Sequence, residues 1–80
     1  MDRSDRAHTT HALNTSADGE STAWRNDATG LRYSVTPTRT YQADAGGRCR
    51  DITTVAQIDG REEVVHVTAC RQPDGTWKTP

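Results

Sequence analysis

The stretch Arg48 to Arg71, RCRDITTVAQIDGREEVVHVTACR, constrains the fold more than any other part of the chain. Two β-branched, alternating runs flank the dipeptide Asp59-Gly60, which suits a two-residue type I′ hairpin because both central positions need φ > 0. The turn then fixes the register: Ile58 opposite Arg61, Ala56 opposite Glu63, Thr54 opposite Val65 and Ile52 opposite Val67. The same register carries Cys49 opposite Cys70, the only two cysteines in the sequence. Counting alternate rungs puts that pair at a non-hydrogen-bonded site, where facing side chains come closest. A disulfide is expected, and with it an oxidising compartment.

A chain of 80 residues with 31% hydrophobic content and no Phe cannot build a large core. In domains below roughly 70–80 residues a staple commonly supplements the core. Closing a loop of about 22 residues is worth on the order of 3 kcal/mol. Ten basic residues against eleven acidic ones give no charge excess that calls for nucleic acid or an anionic membrane. The 80 residues contain no signal peptide, lipobox or apolar run long enough to span a bilayer. The opening MDRSDR is therefore expected to follow an export signal lying upstream in a longer precursor.

The expected fold class is α+β, one compact domain with a helix and linker over 1–19 and an antiparallel β-meander over 20–80. The helix is placed at 4–14, capped by Ser4 or Asp5 and stopped by Gly19. With Leu13 its one large apolar residue, it is expected to dock weakly or fray. Strands follow at 21–25, carrying Trp24, and at 31–36, where Leu31, Tyr33 and Val35 alternate with polar residues. Pro37 is expected to interrupt the ladder, with a bend or an edge there, before 38–42 resumes. Residues 43–47 form a turn into the long hairpin. Its core face should carry Ile52, Thr54, Ala56, Ile58, Val65, Val67 and Ala69, and its other, mixed face is expected to be mostly wet or lightly covered. Gln72-Pro73-Asp74-Gly75-Thr76 turns a last strand back, with Trp77 facing Arg71.

Chemistry-bearing residues are sparse. Arg48, Arg50 and Arg71 share a face at the hairpin base near Trp77, and form the candidate ligand contact, for a carboxylate or phosphate with an aromatic alongside. The competing reading has Trp77 covering the core end and stacking on Arg71, with Asp44 or Asp51 neutralising the arginines. His8 and His11 stand at i, i+3 with nothing nearby to complete a metal shell. His66 and Cys70 lie about 13 Å apart at strand rise. No metal or cofactor is expected. No nucleophile elbow or nucleophile–base pair stands out, so no catalytic residue is assigned and an enzyme is not expected.

W-R-N-D-x-T-G at Trp24 to Gly30, V-T-P-T-R-T-Y-Q at Val35 to Gln42, G-R-C-R at Gly47 to Arg50 and A-C-R-Q-P-D-G-T-W at Ala69 to Trp77 occur in that order. Together they resemble the C-terminal domain of the seventeen-kilodalton surface antigen family of bacterial lipoproteins. The opening D-x-x-D-R resembles the helix that follows that family's membrane segment. The resemblance implies an exported protein of the outer membrane or periplasm of Gram-negative bacteria, in which a lipid anchor and a glycine-zipper segment precede this domain. The sequence departs from the pattern in holding none of those anchoring features, and in carrying Leu31-Arg32-Tyr33 where relatives have smaller residues. The expected role is structural or interactive, with an envelope component or another envelope protein as partner. The alternative is a binding module for an anionic ligand such as peptidoglycan or lipopolysaccharide sugars.

Overall fold

In the computed structural model, which describes residues 1–44 and 46–79, helix α1 (Arg3–Thr15) is followed by five strands. These are β1 (Thr22–Arg25), β2 (Arg32–Gln42), β3 (Arg48–Ile58), β4 (Arg61–Arg71) and β5 (Trp77–Lys78). They form one antiparallel meander in sequential order. The β3–β4 register matches the one set by the turn, from Ile58 opposite Arg61 to Cys49 opposite Cys70. Asp59 and Gly60 hold φ of 50° and 76°, the left-handed pair that a type I′ connection requires. The Cys49–Cys70 disulfide closes the hairpin base, with Cα atoms 4.0 Å apart. Trp77 faces Arg71 across β4–β5. Ala45, within the expected turn, lies outside the described residues.

Two local expectations change. Asp2, not Ser4 or Asp5, caps α1: its carboxylate accepts the Asp5 N–H, while the Asp5 carboxylate accepts the Asp2 N–H. The exchange is a capping box, which satisfies two N-terminal donors at once. The helix ends at Thr15, where Ser16 turns extended, so Gly19 falls in the following turn rather than at the cap. The ladder is irregular beside Pro37, as expected, yet β2 does not end there. The strand runs through it, with a register shift between Pro37 and Arg39. The residue left outside the ladder is Thr38, directly after Pro37, which itself stays in register with Ile52.

The helix lies across one face of the sheet, packed mainly over β2. Ala12 and Leu13 meet Val35, Ile52 and Ala69 in the core, flanked by Trp24, Val67 and Trp77. Thirteen residues of helix reach about 20 Å, whereas eleven-residue strands extend to about 37 Å. The molecule is 40 Å long, so one end of the hairpin projects past its cover. Val65, assigned to the core from its alternation, is accordingly 51% exposed. No helix among the described residues is long and apolar enough to cross a membrane.

Candidate functional site

A helix with so few apolar residues docks here through polar groups instead. The Asp5 side chain is 1% exposed. It accepts from the Trp24 indole N–H at 2.9 Å and from the Asn26 amide at 3.1 Å. The Asn26 amide also donates to Asp2 at 2.6 Å, and its carbonyl accepts the backbone N–H groups of Ala28 and Thr29. Asn26 thus folds the β1–β2 loop as an Asx turn and ties that loop to the start of α1. The two carboxylates sit where the helix N-terminus favours negative charge. The Asn26 amide, with the Asp5 N–H, holds the Asp2 carboxyl below the usual range. Trp24 stacks with His8 (ring centroids 5.0 Å apart) and with Tyr33 (5.7 Å). Burial raises the Tyr33 phenol, and the charges of Asp5 and Asp2 add to the effect.

Arg50 performs the complementary task at the other end of the helix. The last turn of α1 carries no basic residue of its own. Arg50, 6% exposed, reaches from β3 and donates through Nη1 to the Leu13 carbonyl at 2.8 Å. Its Nε donates to the Thr40 hydroxyl at 2.9 Å and its Nη2 to Asp18 at 3.0 Å. A cation on an open helix carbonyl is favourable both as a charge-assisted hydrogen bond and against the helix dipole. The Thr40 hydroxyl and then the Arg50 guanidinium hold the Asp18 carboxyl below its ordinary range. Beside them the Trp77 indole N–H donates to Asn14 at 2.9 Å.

The four candidate contact residues therefore separate. Arg50 is enclosed between helix and sheet, and its partner is Asp18; Asp51 instead accepts from Thr68 at 2.6 Å. Trp77 is half-buried against the core and fastened to Asn14. Arg48 and Arg71 are exposed. They line a shallow depression with Gly46, Gly47, Gln72 and Pro73 beside the disulfide. His8 is occupied by Trp24, and the His66 Nδ1 lies 3.0 Å from the Thr53 hydroxyl on the open sheet. Among the described residues, no three His, Cys, Asp or Glu side chains converge as a metal site would require.

Asp5, Asn26 and Asp18 escaped the sequence reading as anchoring groups. The i, i+3 spacing of Asp2 and Asp5 is itself a capping-box signal, and Asn-Asp before Thr-Gly is an Asx-turn signal. Nothing local marks Asp18, whose partner lies 32 residues away.

The chain is 39% identical to the 17 kDa surface antigen of Rickettsia bellii over 67 residues, 84% of this chain. It is 40% identical over the same length to those of Rickettsia conorii and Rickettsia prowazekii. It spans only 42% of the length of these relatives. No solved structure matches it. The family described as 17 kDa outer membrane surface antigen matches residues 11–78, from the second half of α1 to the end of β5. On that match and on these relatives, the chain belongs to the 17 kDa surface antigen family.

Proposed function

We propose that this domain is a non-catalytic scaffold of the bacterial cell envelope, exported to the outer membrane or periplasm, with a structural or interaction role. The observation that carries this reading is how its buried polar groups are used. Asp5, Asn26 and Arg50 all hydrogen-bond within the fold and fasten the helix to the sheet. That arrangement rigidifies one face and leaves the other as a presentation surface. The Cys49–Cys70 bridge favours an oxidising compartment, and family membership favours the envelope.

The second reading is a binding module for an anionic envelope ligand such as peptidoglycan or lipopolysaccharide sugars. It is supported by the exposed Arg48 and Arg71 beside one depression, with Trp77 facing Arg71. Trp fluorescence titration with peptidoglycan fragments and with lipopolysaccharide core sugars separates the two. No change favours the scaffold. A saturable change, abolished by Arg71→Ala with the melting curve retained, favours the binding module.

A further inference from the structure

The face of the sheet turned away from α1 holds a second group of arginines, at the end of the molecule remote from the Arg48–Arg71 corner. Arg25 and Arg32 stand directly opposite each other on β1 and β2. The adjacent Asn26 N–H donates to the Leu31 carbonyl at 2.8 Å, which makes that neighbouring pair the hydrogen-bonded one. Arg25 and Arg32 therefore occupy a non-hydrogen-bonded pair, where facing side chains approach most closely. Like charges so placed repel each other. Among the described residues the one ion pair is Arg50–Asp18, and neither Arg25 nor Arg32 makes a side-chain hydrogen bond.

The register extends the row from Arg32 to Gln57 on β3 and from Gln57 to Glu62 on β4. With Ser34 and Val55 these residues line one open depression. Two guanidinium forks at one edge offer paired donors to an oxyanion. The Gln57 amide and Ser34 hydroxyl offer neutral hydrogen bonds beside it. Glu62, two strand spacings from Arg32 or about 10 Å, repels a second negative charge and accepts from a hydroxyl or ammonium.

We propose that the Arg25–Arg32 pair is an anion-binding site for the carboxylate or phosphate of a small polar ligand, with its hydroxyl or amino groups lying towards Glu62. The site is independent of the Arg48–Arg71 corner and of the scaffold reading.

The test is a titration of the ¹⁵N-labelled chain with inorganic phosphate and, separately, acetate, at constant ionic strength balanced with chloride. Backbone amides and arginine Nε–H signals are followed. Saturable shifts are expected at Arg25, Arg32, Ser34 and Gln57, with affinity at least tenfold weaker in Arg25→Gln and in Arg32→Gln and unchanged in Arg71→Gln. Tighter saturation by phosphate than by acetate assigns the site to phosphate, and the reverse to a carboxylate. Unsaturable shifts, shifts confined to Arg48 and Arg71, or binding that survives Arg32→Gln would each overturn the proposal. Both glutamine variants should melt at or above the parent at low salt, because the repulsion is relieved. A lower melting temperature in both would equally refute an unpaired, repelling pair.

Discussion

The sharpest test of how this fold is held is Arg50→Met. Methionine keeps most of the stem that packs beneath the helix and removes the guanidinium. Its three partners then fare differently. The Thr40 hydroxyl still donates to Asp18 at 2.7 Å, so it keeps a partner. The Asp18 side chain is 45% exposed and returns to water. The Leu13 carbonyl, belonging to a residue 4% exposed at the end of α1, is left without its donor. An orphaned buried acceptor costs about 1–3 kcal/mol, and the lost cation at the helix C-terminus adds about 0.3–1 kcal/mol. A loss of about 2–3 kcal/mol in a domain of this size lowers the melting temperature by roughly 10–20 °C. Thermal melts followed by far-ultraviolet circular dichroism measure it, with Asp18→Ala alongside. Because Asp18 is solvated, its removal is expected to cost a small fraction of the Arg50→Met loss and to be salt-sensitive. If Asp18→Ala costs as much as Arg50→Met, the surface ion pair is the anchor and the helix-carbonyl argument is wrong.

Three further outcomes follow from the same structure. Reducing Cys49–Cys70, which closes a loop across a sequence separation of 21, should cost on the order of 3 kcal/mol; free thiols in the unreduced protein, or an unchanged melt with reductant, would contradict it. Asp2 and Asp18 both have depressed folded-state pKa values, Asp2 chiefly through the Asn26 amide and Asp18 chiefly through the Thr40 hydroxyl. Their contribution is complete above the unfolded carboxyl pKa of about 3.9 and is lost as pH falls through the lower folded values. Melting temperature against pH should therefore drop in acid, less steeply in Asp2→Asn, and a flat profile down to pH 2.5 would refute this. Asn26→Ala removes two side-chain bonds to α1 and two to its own loop, and should release the first turns of the helix. Hydrogen exchange of the α1 amides reads that release, and unchanged protection would show that the Trp24–Asp5 bond and the apolar contacts hold this end without Asn26.

The division between what was and was not legible in the sequence has a physical cause. The hairpin register follows from a two-residue turn, because each rung is counted from a fixed origin and errors cannot accumulate. The same logic placed Trp77 opposite Arg71 from the Pro73-Asp74-Gly75 turn. The docking of α1 has no such origin. Counting apolar residues on a helical wheel gave only Leu13 and small alanines, and so a weakly held helix. The fold uses the polar positions instead: Asp5 lies on the buried face one turn before Thr9 and two before Ala12 and Leu13, and its partners Trp24 and Asn26 are brought to it by β1. The bonds of Arg50 were illegible for the opposite reason. Alternation correctly put it on the face of Arg48 and Arg71, but that face is covered by the helix end at Arg50, whose guanidinium bonds the Leu13 carbonyl, while Arg48 and Arg71 stay exposed.

This arrangement explains why the core can be so small. The core cluster under the helix is Ala12, Leu13, Val35, Ile52 and Ala69, with three partly buried partners, and Tyr33 and Cys49 are buried apart from it. Polar clasps at both ends of α1 compensate for that sparseness by fixing where the helix sits, since an unpaired Asp5 or Arg50 beneath it would be costly. Displacing the helix in either direction would break at least one clasp. The sheet is thereby committed on one side, while its opposite face keeps Arg25, Arg32 and the 52%-exposed Val64 in solvent. On the helix side Arg50 is spent on the fold while Arg48 and Arg71 stay exposed at the hairpin base, and on the open side Arg25 and Arg32 are exposed. The Arg25→Gln and Arg71→Gln titrations decide between those two faces: a response to the first alone assigns recognition to the open sheet, and a response to the second alone returns it to the hairpin base.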